Sequence, residues 1–320
     1  MIYMKKKNAA AICAAAGVCV LTSAAFASYQ TANGYDSLKK SLIGALDYTN
    51  CTISSTMEMK FDDLSLVKAT YDYEADLPNQ MTHGRTESVS DVDGDIPYVS
   101  ENYEDSNYYY YNYYDNNGNP DGFIRHDYYP GEPATNLLGI GDEERGTFDK
   151  VVRFMELAAD TVVGDLRNNF VCTEDTDDHT SYSITLDSVQ IPELVNAGLS
   201  MVFSMSESGP TYTSYDENGN EITMTYDESD AQYYINMMGS DPVIDSLTLN
   251  FNVGKDGVLR DGNGEVNFKG TDSNGAEHIM SFDLTLAFTN VGTTVITPVS
   301  ELGVNVYEYD DNGNRVKVEF

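Results

Sequence analysis

The side chains of this chain that could do chemistry are mainly carboxylates and tyrosines. The sequence holds 52 acidic and 18 basic residues, 4 histidines and no tryptophan. It has no Gly-x-Ser-x-Gly elbow, P-loop or dinucleotide fingerprint, and no His-x-x-x-His or Cys-x-x-Cys pair for zinc. We therefore expect a non-catalytic protein without a cofactor. Paired carboxylates for sugar hydrolysis stay open, because acids are abundant.

One stretch spaces oxygen ligands as a calcium-binding loop does. Asn117, Asn119 and Asp121 alternate, and a glycine follows in the sixth place of the loop. Pro120 interrupts this loop, and Tyr128 stands where an EF-hand carries glutamate. The alternative is a hairpin turn without a metal, and that is our expectation.

A second unusual stretch is a run of tyrosines. Tyrosine is a good strand residue with an amphipathic ring, and the turn residues at 115–119 follow it, so we predict a β-hairpin over 108–129. This hairpin is the contact surface of an alternative function, a cell-surface adhesion module with a solid core. The predicted contact residues are Tyr108, Tyr109, Tyr110, Tyr111, Tyr113 and Tyr114.

The N-terminus has the layout of a secretory signal peptide. Three lysines at 5–7 precede an apolar run over 9–21 and the Ala25-Phe26-Ala27 cleavage pattern. The apolar run is shorter than the ~20 residues that span a bilayer, so we predict cleavage of 1–27 rather than an anchor. The mature protein, 28–320, is then secreted or held in the cell envelope, and not integral to the membrane.

Loss of the signal peptide changes both the charge and the cysteine count. Three lysines leave with it, so the net charge moves from −34 to −37. Such an acidic chain repels nucleic acid and anionic membranes. Cys51 and Cys172 remain, and in an exported protein they permit a disulfide worth about 4 to 5 kcal/mol in the chain-entropy model. Two buried free thiols are the alternative.

Strands with one apolar and one polar face dominate the predicted secondary structure. In the stretch 245–297, apolar residues occupy every second position, from Leu247 to Val253 and again from Met280 to Phe288. Amphipathic helices are predicted at 36–47 and 147–169. The residues at 192–205 predict a third helix that is apolar on nearly all sides.

This order of elements predicts an α+β fold. We expect one large, curved, mostly antiparallel sheet, a half-barrel, with helices packed on its concave apolar face. The domain spans 28–300, and 301–320 forms a C-terminal β-hairpin extension.

The arrangement resembles the LolA-like superfamily of exported lipoprotein carriers and lipid-binding proteins. The resemblance lies in the exported N-terminus, the leading helix at 36–47, the two later helices and the closing meander, and it covers about 30–298. It implies a concave apolar sheet covered by helices, for which a lipid or a lipoprotein acyl chain is the candidate ligand. No functional residue of the family carries over to a position of this chain.

The leading prediction is therefore an exported protein that binds an apolar ligand or a hydrophobic segment of an envelope protein, as a carrier or sensor. The helix at 192–205 is rich in methionine, which suits adaptable contacts. The competing interpretation is that these side chains are ordinary core. The predicted lining residues are Leu199, Met201, Val202 and Phe203, facing Phe282, Leu284 and Leu286.

Overall fold

The computed structural model describes residues 34–45, 47–91, 97–114, 120–127, 153, 170–191, 196, 211–215, 221–225, 230–239, 241–310 and 313–320. The signal-peptide region and nearly all of the predicted helices at 147–169 and 192–205 lie outside the described residues. The first helix, most of the strands and the C-terminal hairpin lie within them.

Two helices have both ends within the described residues, and the single described residues Arg153 and Asn196 are also helical. Helix α1 spans Gly34–Ala45, and helix α2 spans Asp230–Met237. Two short 3-10 turns lie at Leu77–Asn79 and Val299–Glu301. No helix in this part of the chain is long and apolar enough to cross a membrane.

The same residues form 15 strands. They are β1 (Asn50–Phe61), β2 (Leu64–Asp76), β3 (Met81–Val89), β4 (Tyr98–Glu104), β5 (Tyr108–Tyr114), β6 (Pro120–Asp127), β7 (Val171–Asp175), β8 (His179–Asp187), β9 (Thr211–Tyr215), β10 (Glu221–Thr225), β11 (Val243–Gly254), β12 (Leu259–Thr271), β13 (Glu277–Thr289), β14 (Val306–Tyr309) and β15 (Arg315–Lys317).

Thirteen of these strands form one sheet, in the order β15-β14-β6-β5-β4-β3-β2-β1-β13-β12-β11-β8-β7. Strands β9 and β10 form a separate hairpin. Neighbouring strands of the large sheet are antiparallel, except that β14 runs parallel to β6. The two ends of the sheet, β15 and β7, do not pair with each other, so the sheet is open.

The predicted α+β half-barrel with several helices on a concave apolar face is therefore wrong. The described fold is a large, open, mixed 13-stranded sheet, and its main buried cluster has one helix packed on it, α1. The parallel pair arises because the chain crosses the sheet between β13 and β14 instead of turning back in a hairpin. A prediction from hydrophobic period could not show this crossing, because the period gives the face of a strand and not its neighbours.

The two faces of the sheet differ in chemistry on β1, β2, β8 and β11–β13. Side chains of a strand alternate between faces, so Leu247, Leu249 and Phe251 share one face while Asn250 and Asn252 share the other. We call these the apolar face and the polar face.

Helix α1 lies on the apolar face. Leu38 and Leu42 are one helical turn apart and are buried, with 1% and 3% of their surface exposed. They belong to a buried cluster with Ile184, Leu249 and Phe251 of β8 and β11. Burial of such side chains is the main stabilising term of the fold.

The chain from Asn290 to Asn305, which we call the crossing segment, lies on the polar face. Thr294 Oγ1 is 3.0 Å from Oγ1 of Thr52 on β1. Further along, Ile296 and Val299 join a second buried cluster with Tyr103 and other residues of β4–β6. The segment thereby leads the chain from β13 to β14 at the far side of the sheet.

Candidate functional site

A cavity of about 670 Å³ lies on the polar face and is the candidate site, which we call the groove. Its lining residues come from seven strands, β1, β2, β7, β8 and β11–β13. Serine, threonine, asparagine and aspartate predominate in the lining, and the described lining contains no His, Cys, Lys or Arg. The groove is therefore a surface for hydrogen bonding.

Cross-strand hydrogen bonds hold the polar side chains of the groove floor. Ser54 Oγ donates to Asp72 Oδ1 at 2.7 Å, which ties β1 to β2. On the other side, Asn252 Nδ2 donates to Asp261 Oδ1 at 2.6 Å. These pairs stand directly opposite each other in the register, which orients the groups without help from loops.

The same side chains keep unused hydrogen-bonding capacity. Asn250 Nδ2 donates to Asn263 Oδ1 at 2.8 Å, so the Asn250 carbonyl oxygen and the Asn263 amide group have no partner within the described residues. One oxygen of each carboxylate, Asp72 and Asp261, likewise has no hydrogen-bond partner within the described residues. None of these atoms is buried, so each can form a hydrogen bond with water, and a ligand can replace that water.

On one long side, the groove floor borders Thr52 of β1, where the crossing segment is bonded. From Thr52 the register continues through Glu74 and His83 to Tyr103. His83 Nδ1 lies 2.9 Å from Glu74, and His83 Nε2 lies 3.0 Å from Glu101 on β4.

These two contacts shift the pKa of His83 and the pKa of Glu101. Burial opposes a charge on His83, but the hydrogen bonds to Glu101 and Glu74 outweigh it, so the pKa of His83 is raised. The hydrogen bond from His83 is the main reason that the pKa of Glu101 is lowered. The imidazole of His83, whose protonated form the two carboxylates favour, therefore links β2, β3 and β4 next to the β2 end of the groove.

The other long side is acidic. Glu58, Asp283 and Glu265 are direct neighbours across β1, β13 and β12. Burial, and then repulsion by Glu265, raise the pKa of Asp283. Lys60 forms an ion pair with Glu58 at 3.2 Å, which offsets part of this charge. The groove thus presents a negative potential to an approaching ligand.

The predicted apolar site is described only in part. Leu199, Met201, Val202 and Phe203 lie outside the described residues. Leu284 and Leu286 of β13 are half-buried and pack against the main cluster on the apolar face. Phe282 is half-buried on the same strand.

The tyrosine run forms β5, and the strand alternation divides its side chains between the two faces. Tyr108 and Tyr110 belong to the second buried cluster, where Tyr110 is 3% exposed. Tyr109 and Tyr111 point to the opposite face, where Tyr111 stacks on His126 with ring centroids 5.3 Å apart. The side chains of Tyr113 and Tyr114 are outside the described set. Of the four tyrosines of the run whose side chains are described, Tyr109 and Tyr111 are therefore the two that share the face opposite the second buried cluster.

The stretch with the spacing of a calcium-binding loop lies partly outside the described residues, which exclude Asn117 and Asn119. Asp121 accepts a hydrogen bond from the Tyr307 hydroxyl at 3.4 Å and lies 3.5 Å from Arg315. Within the described residues, no three metal-ligating side chains lie together.

The possible disulfide is not formed in this structure. Cys51 is buried on β1, Cys172 is exposed on β7, and both are free thiols. Their strands are separated by β13, β12, β11 and β8, which amounts to about 24 Å along the sheet at the usual strand spacing. A disulfide needs Cα atoms within about 7 Å.

The alternation of the strands places Asn250, Asn252 and Thr285 on the polar face, but it does not identify the groove. The missing information was the pairing of β1 with β13, which brings Ser54 beside Ala287 and thus β2 near β12. A run of Ser, Thr and Asn at alternate strand positions is a signal that could have drawn attention to this face.

Comparisons with known proteins add little to this description. No protein-family model matches the chain, and no curated protein matches it. Among solved structures, a LolA superfamily protein from Nitrosomonas europaea aligns over 82% of this chain and 94% of its own, with 7% identity and a TM-score of 0.20.

A beta-barrel-like protein of a domain of unknown function, DUF1849, from Brucella abortus aligns over 75% of this chain and 98% of its own, with 12% identity and a TM-score of 0.19. The resemblance to the LolA superfamily thus stays at the level of architecture. At such TM-scores neither match carries an argument about function.

Proposed function

We propose that this protein is a non-catalytic binding protein that holds an uncharged, hydroxyl-rich ligand in the groove. The observation that carries the proposal is the set of oriented polar side chains on the floor whose spare donors and acceptors face solvent. A hydroxyl group both donates and accepts, so it can satisfy a carboxylate oxygen and an amide hydrogen in turn.

Charge narrows the class of ligand. The floor carries Asp72 and Asp261, and the acidic row with Asp283 lies beside it. The described lining offers no basic side chain to a phosphate, a sulfate or a carboxylate. Acidic polymers and anionic lipid headgroups are therefore disfavoured, and among saccharides a neutral one fits best.

Binding is favoured over catalysis by the composition of the groove. Its serines have no histidine or lysine among the described lining residues to act as a base. Asp72 and Asp261 stand in register positions three strands apart, about 14 Å along the sheet. For these two carboxylates, the only ones among the described lining residues, this exceeds the separation of about 5 to 9.5 Å between the carboxyl groups of glycosidases. The closer carboxylates Glu58, Asp283 and Glu265 lie outside that lining.

Isothermal titration calorimetry of the mature chain with soluble neutral and acidic polysaccharides tests the proposal. We expect binding of a neutral polymer, and at least a tenfold loss of affinity in a variant with Asp72→Ala and Asn252→Ala. Thr248→Ala is the matched control, because Thr248 is on the same face of β11, outside the groove lining. Equal binding of acidic polymers, or equal loss in the control, contradicts the proposal.

Export belongs to the same proposal. A neutral polysaccharide is a component of the cell surface and its surroundings, which the signal-peptide pattern of residues 1–27 would let the protein reach. We place the mature protein outside the cytoplasm, free or in the cell envelope.

The half-buried leucines of β13 favour a second candidate function, the binding of an apolar ligand or a hydrophobic partner segment. Leu284 and Leu286 border the buried cluster without being fully buried. Native mass spectrometry after incubation with membrane lipids tests it. Leu284→Phe should abolish an added mass, and Ile279→Phe, an exposed position on the same strand, should not. A clean apo mass of the unmodified protein contradicts this candidate.

A further inference from the structure

The register of the sheet arranges the side chains of the groove floor, together with Ser183 beside it, in two rows across the strands. Each row takes one residue from each of β2, β1, β13, β12, β11 and β8. The first row is Asp72, Ser54, Ala287, Asp261, Asn252 and Ser181. The second row is Thr70, Thr56, Thr285, Asn263, Asn250 and Ser183.

The spacing within a row follows from the hydrogen bonding of the sheet. Neighbouring strands are about 4.8 Å apart, and side chains two residues apart on one strand are separated by about 6.8 Å. The floor therefore repeats a polar group about every 4.8 Å across the strands, over roughly 24 Å for six strands. One pyranose ring of an extended sugar chain advances by a similar length.

Ala287 interrupts the polar character of the first row. It lies between Ser54 and Asp261, and no other side chain of the two rows is apolar. Its methyl group is short, so it forms a shallow apolar depression in the centre of the floor. The face of a sugar ring can pack against this depression. The hydroxyls at the ring edge then reach the polar groups on either side.

We infer that the ligand is a single linear chain of a neutral, extended polysaccharide, which crosses the strands along the two rows with about one sugar per strand. This inference rests on the proposed function and adds the shape, length and direction of the ligand. The twist of a sheet rotates each strand by about 20 to 25° against the next. The rows therefore suit a separate flexible chain better than a flat crystalline surface.

The test is a calorimetric series with cello-oligosaccharides of one to six glucose units and the mature chain. We expect the Kd to fall with each added sugar, by about fivefold per step, the effect of one net hydrogen bond. The gain should end at about six sugars, because the two rows span six strands.

A variant that blocks the centre of the floor tests whether the ligand lies across Ala287. Ala287→Phe removes no hydrogen-bonding group but fills the centre of the first row, so binding of the hexasaccharide should weaken at least tenfold. Ile279→Phe places the same ring on the same strand outside the groove and should leave binding unchanged. Circular dichroism of both variants checks that each is folded.

The outcomes distinguish the two levels of the proposal. Glucose or another small neutral polyol that binds as tightly as the hexasaccharide overturns the extended-chain inference and leaves the proposed function standing. Hexasaccharide binding that is unaffected by Ala287→Phe also overturns it. Failure of every neutral saccharide, short or long, overturns both.

Discussion

The imidazole of His83 stacks on the ring of Tyr103, with centroids 4.1 Å apart and planes 14° apart. His83 also lies between the carboxylates of Glu74 and Glu101. Tyr103 in turn packs in the cluster that holds the crossing segment. The charge of His83 therefore acts on the carboxylates of β2 and β4 and on the ring that packs in this cluster.

This arrangement predicts a pH window of maximum stabilisation. The pKa of His83 is raised by folding, so its contribution is fully present below the ordinary value of 6.5 and is lost as pH rises through the folded pKa. The pKa of Glu101 is lowered, so its contribution is present above 4.5 and is lost as pH falls through the folded pKa. The pair stabilises most between pH 4.5 and 6.5.

Urea unfolding of the wild type and His83→Gln across pH measures this effect. The difference in unfolding free energy should be largest within the window and shrink as the pH rises further. His126→Gln serves as the control, since its ring contacts the Tyr111 hydroxyl and, within the described residues, no carboxylate. A His83→Gln difference that is the same at every pH would show that only packing is lost.

Neutralising Asp283 should stabilise the protein at pH 7. Its pKa is raised by burial and by Glu265, so the charged form is disfavoured in the folded state. Asp283→Asn should raise the urea midpoint at pH 7 and have little effect below pH 3.8, where the carboxyl is already protonated. Asp63→Asn, at an exposed turn position, is the comparison. A lower midpoint for Asp283→Asn at pH 7 would refute the repulsion.

Gly270 allows two backbones to approach closely. A Cβ atom there would lie 2.8 Å from the carbonyl carbon of Met238, whose backbone cannot move without moving α2. We expect Gly270→Ala to reduce the unfolding free energy by about 1 to 3 kcal/mol. In α1, where a Cβ at Gly44 meets nothing within 4 Å, Gly44→Ala should instead stabilise by up to about 1 kcal/mol. Thermal melts of both variants decide this, and equal behaviour would contradict the close approach.

One thiol of the mature chain should react under native conditions. Cys172 is exposed, whereas Cys51 is 0% exposed and burial raises the pKa of its thiol to about 12. Intact-mass analysis after iodoacetamide should show one adduct on the native protein and two after unfolding. Cys172→Ser should remove the native adduct. No adduct, with a mass two hydrogens lower, would instead show a disulfide.

The adhesion hypothesis now concerns only part of the tyrosine run. If the hairpin is a contact surface, a variant with Tyr109→Ser and Tyr111→Ser should lose binding to cells or wall polymer. Tyr233→Ser on α2, where the ring is 57% exposed, removes an exposed tyrosine elsewhere and should have no effect. A pull-down with wall material compares them, and unchanged binding of the double variant ends this hypothesis.

The sequence was sufficient to predict which side chains share a face. Strand side chains alternate with a period of two, so Leu249 and Phe251 separate from Asn250 and Asn252 whatever the neighbouring strands are. The same rule divides Tyr109 and Tyr111 from Tyr108 and Tyr110. The stripe of Leu38 and Leu42 predicted the buried side of α1 for a similar local reason.

Only the tertiary structure decided which strands are neighbours. Thr52 and Thr294 are 242 residues apart, yet their hydroxyls lie 3.0 Å apart because β1 pairs with β13 and the crossing segment returns over it. Periodicity carries no information on such pairing, since any strand with a matching face can fit beside another. The groove, the His83 network and the parallel β6–β14 pair all depend on this long-range strand pairing. The amino-acid pattern by itself determined only which polar and apolar side chains each strand presents on its two faces.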